Sequence, residues 1–220
     1  MNKVIYCDFD GTISKKDSIN TFFELYADEK WLEYEQLWVD GKISSRENAI
    51  KQVGLLPEME SETLQNYINS IEIDEYFIEF VSFLKSKGIK LVILSDGFDL
   101  FIKETLKKYN IDDIKFYANH LIYKNKKFSI EFPYYNEKCN KKSGMCKCSK
   151  IAEEDFTYIG DGTSDLCVAQ KAKKLYATKV LLKHCKANNI KHVAFNSFRD
   201  IIMDIKGVKN GNIGENSNSV

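Results

Sequence analysis

The stretch "VIYCDFDGTIS", residues 4–14, runs from apolar residues into two aspartates one residue apart, then Gly11 and Thr12. On an extended strand residues i and i+2 share a face, so the spacing predicts Asp8 and Asp10 projecting together while Phe9 turns away. Two carboxylates that close raise each other's pKa unless a cation sits between them, so the stretch asks for a metal, a shared proton or water. The segment reads as a short buried strand that delivers acids at its carboxyl end.

Outward from it, strand and helix patterns alternate. "KLVILSDG" (90–97) is a buried strand ending in polar residues, "DFTYIGDG" (155–162) a strand-to-loop transition and "KLYATK" (174–179) a short last strand. "HLIYKNKKFSIEF" (120–132) predicts a hairpin turning at Asn125 and Lys126. Helical spacing marks "DSINTFFELYADEKW" (17–31), "WLEYEQLW" (31–38), "SSRENAIKQVGLL" (44–56) and "SETLQNYINSI" (61–71), with Asp17 and Ser44 as N-caps and Pro57 as a breaker. "DEYFIEFVSFLKSKG" (74–88), closed by Gly88, "DLFIKETLKKY" (99–109) and "SDLCVAQKAK" (164–173) complete the helices. The order predicts an α/β fold, a doubly wound and mainly parallel sheet wrapped by helices. A helical insertion of roughly 60 residues follows the first strand, too long for an ordinary connection.

Composition bounds the function. Lys plus Arg and Asp plus Glu number 32 each, so no global field favours nucleic acid or anionic lipid. With no apolar span or signal core, the expected setting is cytoplasmic, with neither a nucleic-acid nor a membrane partner. The 44% hydrophobic content suffices for a sizeable core. Six cysteines without an export signal predict reduced thiols; Cys139, Cys146 and Cys148 lack the paired spacing of a structural zinc site, and none is expected there. His120, His184 and His192 are scattered and form no triad. The insertion's aromatics, Phe22, Phe23, Tyr26, Trp31, Tyr34 and Trp38, are expected in its core. Oligomeric state is not legible.

Three polar clusters end three separate strands: Asp8 with Asp10, Ser95 after "LVIL", and Asp161 after "FTYIG". Open α/β sheets bind ligands outside the carboxyl ends of their strands, so the clusters converge on one edge. Asp161 and Asp165, four apart, can share a face where the next helix begins. Asp8, Asp10, Asp161 and Asp165 then make an all-oxygen anionic pocket suited to Mg²⁺ completed by water and a substrate phosphate. Neither the calcium-loop template nor the dinucleotide fingerprint fits: the calcium-loop glycine position falls on Ile13, and Asp165 stands where the fingerprint needs glycine.

"DFDGT" (8–12), "LSDG" (94–97) and "GDGTSD" (160–165) resemble motifs I, II and IV of haloacid dehalogenase-superfamily phosphatases, and "GMCK" supplies Lys147 as the motif III lysine, with Lys150 a near alternative. The chain is most similar to the phosphoserine-phosphatase-like branch. "GKISSRE" (41–47) and the cysteine-lysine stretch look most like methionine-salvage phosphatases acting on 2-hydroxy-3-keto-5-methylthiopentenyl-1-phosphate. The resemblance implies a core at 1–14 and 74–206, a helical cap at 15–73 and a flexible tail at 207–220. It implies Asp8 as nucleophile, Asp10 as general acid and base, and Mg²⁺ on Asp8, the Asp10 carbonyl and Asp161, with Asp165 behind or through water. Ser95 and the backbone at Gly11 and Gly97 would hold phosphoryl oxygens, Lys147 would offset charge, and Arg46 of the cap would hold the leaving group.

The expected activity is hydrolysis of a small phosphate ester. A phosphotransferase with the same intermediate and a non-catalytic phospho-acceptor module are the alternatives, the latter disfavoured by the insertion and by Asp10. Haloalkanoate dehalogenation leaves Asp10 and the metal-binding acids without a role.

Overall fold

The computed structural model describes residues 4–208. Seven strands form one sheet among them: β1 (Val4–Cys7), β2 (Lys90–Phe98), β3 (Lys115–Lys124), β4 (Lys127–Glu131), β5 (Thr157–Gly160), β6 (Lys174–Ala177) and β7 (Val193–Ala194). Their order is β4-β3-β2-β1-β5-β6-β7, parallel throughout except for the β3–β4 hairpin. That hairpin turns at Asn125 and Lys126 with φ of 52° and 65°, the left-handed pair of a two-residue turn.

β1 is buried along its whole length, and alternation splits it between two layers. Ile5 and Cys7 join Phe77, Phe80, Ile102 and Phe198 on one face. Val4 and Tyr6 join Tyr158, Leu175, Leu181 and Cys185 on the other. The first layer is supplied by α5 (Phe77–Ser86), α6 (Asp99–Lys108) and α9 (Phe198–Ile205), the second by α7 (Leu166–Ala169) and α8 (Lys179–Ala187). The sheet is therefore covered on both faces, the doubly wound arrangement that its parallel strands require.

Between β1 and α5 lie α1 (Ser18–Tyr26), α2 (Trp31–Val39), α3 (Ser45–Val53) and α4 (Ser61–Ser70). Asp17 caps α1 by accepting from Ile19 N and Asn20 N, and Ser44 with Glu47 forms a capping box on α3. The ends of this segment meet: Ser14 and Ile73 form an antiparallel bridge, and Asp74 N donates to Ile13 O at 2.8 Å. Phe22, Phe23, Trp31 and Tyr67 pack on Phe98, Phe101 and Leu121, so the four helices rest on the end of β2, on α6 and on the hairpin.

Several expectations need correction. "KLYATK" is not the last strand, because the two-residue β7 follows it, too short to show any period. Helices α8 and α9 were not expected, and the helix over 164–173 shrinks to α7 after a single 3-10 turn. Tyr34 and Trp38 lie only half-buried, and Tyr34 stacks under the Lys51 ammonium. Beyond Gly207 and Val208, the expected tail lies outside the described residues.

Candidate active site

The carboxyl ends of β1, β2 and β5 converge, and the side chains expected there separate into two groups. In the first, ligand oxygens of Asp8, Asp161 and Asp165 lie within 4.8 Å of one another. Lys147, 3% exposed on a 3-10 turn (Lys147–Lys150), places its ammonium 2.9 Å from Asp8 Oδ2 and 2.6 Å from Asp165 Oδ1. Lys150 lies elsewhere, stacked on Tyr117 and Tyr134. Burial opposes the Lys147 charge, but the carboxylates of Asp165 and Asp8 outweigh it and hold the ammonium firmly protonated.

Asp165 is fully buried and takes four donors: Lys147 Nζ, Tyr158 Oη at 2.5 Å, and the backbone N–H groups of Asp161 and Gly162 at 3.0 Å. Its sequence distance from Asp161 lets it fold back on the chain that carries Asp161, fixing that residue at the tip of β5. Asp161 in turn accepts from Thr12 Oγ1 at 3.0 Å, which ties the loop after β1 to the end of β5. Asp8 Oδ1 accepts from Phe9 N at 2.7 Å. Burial, then Asp165, pushes the Asp8 carboxyl well above its usual range despite Lys147, and burial raises Asp161 as well.

Asp10 belongs to the second group. The regular strand stops at Cys7, and Thr12, Ile13 and Ser14 all donate backbone N–H to Phe9 O in a tight turn. Phe9 is buried in the core as its alternation predicts, but the Asp10 carboxylate turns to different partners from Asp8. Its Oδ1 accepts from the hydroxyl and the N–H of Ser18, at the start of α1, and its Oδ2 from Ser95 Oγ at 3.2 Å. Burial first, and then Asp17, lifts its pKa to about 7. A carboxyl poised there can both give and take a proton near neutral pH. The simple strand picture therefore fails beyond Cys7, and the carboxylates brought together are Asp8, Asp161 and Asp165.

Two glycines let carboxylates pack directly against the backbone. Gly11 has φ of 71°, and a β-carbon there would run into Asp161 Oδ2. At Gly97 a β-carbon would collide with Asp10 Oδ2, while its N–H donates to Ser95 Oγ at 2.9 Å.

The insertion reaches this edge through α3. Ser45 Oγ donates to Asp96 Oδ2 at 2.5 Å, and Asp96 also accepts from Met145 N and Asn119 Nδ2. Arg46, next in sequence, is half-buried, with its guanidinium 5.2 Å from the Phe132 ring centre and 4.8 Å from that of Tyr135. Its Nε is buried without a hydrogen-bond partner.

Sequence reasoning missed three participants. Thr12 and Tyr158 sit within the motifs without a pattern that assigns them a role, and Lys179 falls at the end of a strand-like segment. Lys179 donates to Gly11 O and lies 3.4 Å from Asp161 Oδ2. All six cysteines are free; Cys148 faces Cys167 at 3.4 Å between the sulfurs, a pairing that sequence spacing does not suggest.

No helix among the described residues is long and apolar enough to cross a membrane. The family model for haloacid dehalogenase-like hydrolases matches residues 5–170. A 2-hydroxy-3-keto-5-methylthiopentenyl-1-phosphate phosphatase of Bacillus velezensis is 30% identical over 219 residues, covering 96% of this chain and 91% of that protein. Its namesake from Geobacillus thermodenitrificans is 32% identical over 206 residues, covering 90% and 93%. Among solved structures, a phospho-aspartyl intermediate analogue of phosphoserine phosphatase superposes with a TM-score of 0.67 at 25% identity, covering 94% of this chain and 99% of that one. With the three strand-end motifs converging as described, the chain belongs to the haloacid dehalogenase-like hydrolases.

Proposed function

We propose that the protein is a magnesium-dependent phosphomonoesterase whose nucleophile is Asp8, and that its substrate is 2-hydroxy-3-keto-5-methylthiopentenyl-1-phosphate. One observation carries the reading: three clustered carboxylates face one buried ammonium at the ligand-binding edge of the sheet. Burial and then the Asp165 charge raise Asp8 and Asp161, and three carboxylates that the ammoniums of Lys147 and Lys179 do not fully balance form an all-oxygen donor set that fits a small divalent cation. Asp8, Asp161 and the Asp10 backbone carbonyl would hold it. When bound, Mg²⁺ supplies charge neutralisation for a phosphoryl group.

The chain's own groups account for the rest. Asp8 Oδ attacks phosphorus in line and forms an aspartyl-phosphate, while the ester oxygen leaves. Asp10 gives that oxygen its proton, then takes one from the water that cleaves the acyl phosphate. Lys147, locked between Asp8 and Asp165, offsets charge on the phosphoryl oxygens, and Ser95 Oγ with the N–H groups of Gly11 and Gly97 would turn to them from Asp10, Ser14 and Ser95 respectively. Asp165 positions Lys147 and Asp161. The boundary of cap and core is drawn at 14/15 and 73/74, supported by the Ser14–Ile73 bridge. Six free thiols support a cytoplasmic setting.

The name shared by the two full-length relatives favours the enol phosphate over phosphoserine. After EDTA treatment, Mg²⁺ is expected to restore hydrolysis of p-nitrophenyl phosphate while Ca²⁺, which prefers a looser shell, does not. The enol phosphate should exceed phosphoserine in kcat/KM by at least about tenfold. Faster turnover of phosphoserine would reverse the substrate assignment, and no metal-dependent hydrolysis of any ester would remove the phosphatase reading.

Arg46 is proposed to meet the leaving group, since it follows Ser45, which already touches motif II. Arg46→Ala should raise KM for the natural substrate by about thirtyfold, roughly 2 kcal/mol for one charge-assisted contact, and spare p-nitrophenyl phosphate. Equal losses on both would show that the stacking on Phe132 and Tyr135 serves only to seat the cap.

A further inference from the structure

Lys179 opens α8, yet its backbone is left-handed at φ of 46°, a conformation a lysine adopts only at a cost. The residues around it are pinned to the end of β5: Thr178 N donates to Gly160 O, and Leu181 N donates to Asp161 O at 2.7 Å. The unfavourable conformation thus comes with a fixed placement. It delivers the ammonium to two points at once, the carbonyl of Gly11 in motif I and Oδ2 of Asp161 in motif IV. Thr12 Oγ1 occupies the other oxygen of Asp161. Both oxygens of this carboxylate are therefore engaged by protein donors, one neutral and one cationic.

A divalent ion that draws on Asp161 has to share or take one of those oxygens. The Thr12 hydroxyl can remain beside a metal-bound carboxylate without charge conflict, whereas the ammonium repels the ion. Lys179 is also the easier group to displace, because its side chain is 47% exposed and Lys147, by contrast, is enclosed. We propose that Lys179 is a positioning residue that competes with Mg²⁺ for Asp161: it clips the motif I loop to motif IV when the ion is absent and swings aside when the ion binds. This role rests on the metal reading given above. It would keep the acid cluster folded at low magnesium and set the affinity of the site lower than the carboxylates alone would give.

The direct test is magnesium titration of the EDTA-treated full chain by calorimetry, with thermal unfolding in EDTA and in saturating Mg²⁺. Lys179→Gln keeps a donor for Gly11 O and removes the charge. It should bind Mg²⁺ about tenfold more tightly, the size expected when one screened, half-exposed ion pair no longer competes for Asp161. Its melting temperature should fall in EDTA and change little in Mg²⁺, widening the shift that the ion produces. Lys179→Arg, which keeps the charge, should behave like the unaltered protein. Unchanged or weaker Mg²⁺ binding by Lys179→Gln, or equal destabilisation with and without the ion, would overturn the role. A Lys179→Gln chain that does not fold even in Mg²⁺ would also overturn it, because the clip would then be an ordinary structural contact. If the unaltered protein takes up no Mg²⁺, the metal reading itself fails, and this role falls with it.

Discussion

Asp8→Asn is expected to lower kcat for every phosphate ester by more than about a hundredfold, because an amide oxygen neither attacks phosphorus nor carries the charge that a metal draws on. The same change should leave the protein folded, because the amide keeps the shape of the carboxyl. Asp8 is 4% exposed, and burial together with Asp165 and Asp161 already disfavours its ionised form more than Lys147 favours it. A neutral amide of the same shape gives up the ion pair with Lys147 together with the repulsion from Asp165, and it can still accept from Phe9 N, the bond that the Asp8 carboxylate makes at 2.7 Å. The melting temperature should stay within about 2–4 °C of the unaltered protein, roughly 1 kcal/mol in a chain of this size. Loss of activity with a nearly unaltered melting temperature separates a missing nucleophile from a misfolded protein. Retention of more than about a hundredth of the activity would mean that phosphorus is attacked by some other group.

Much of this site was legible in the sequence because strand-end acids in an open sheet have one place to go. Burial along "VIYC", "LVIL" and "TYIG" forces those segments into the middle of the sheet, and their polar successors then meet at its edge. Lys147 could be placed near them only by resemblance, since nothing in "EKCNKKSGMCKCSK" distinguishes one lysine from the next; what singles it out is burial between Asp8 and Asp165 while Lys150 stacks on tyrosines.

The errors have equally local causes. Treating Asp8 and Asp10 as neighbours on a strand ignored the turn that Phe9 O gathers, which sends the second carboxylate to Ser18 and Ser95. Lys179 was invisible because its contacts are to residues far away in sequence and its placement depends on an αL backbone that no side-chain pattern announces. Helix α9 was readable in principle from Phe198, Ile201 and Ile202, which share one face, but it follows a two-residue strand that gives no signal of where the sheet ends.

Lys147→Met should damage the fold as well as the chemistry. Its ammonium is enclosed by Asp8 Oδ2, Asp165 Oδ1 and Ser164 Oγ, at 2.9, 2.6 and 2.9 Å. A methionine fills much of the same volume but leaves two buried carboxylates without a cation, a loss worth roughly 3–5 kcal/mol. At about 2–4 °C per kcal/mol the melting temperature should drop by on the order of 10 °C. Turnover should fall with it even at temperatures where the variant is folded, since the phosphoryl oxygens lose their fixed positive partner. Lys147→Arg is not expected to rescue, because a planar fork does not fit a niche shaped around a point charge. The decisive measurement is a double-mutant cycle with Asp8→Asn. If the cost of losing Lys147 comes from stranded charge, it should shrink by roughly 1–3 kcal/mol once Asp8 is neutral. Additive losses would show instead that the lysine contributes packing alone, and its assignment to the chemistry of the site would then have to be withdrawn.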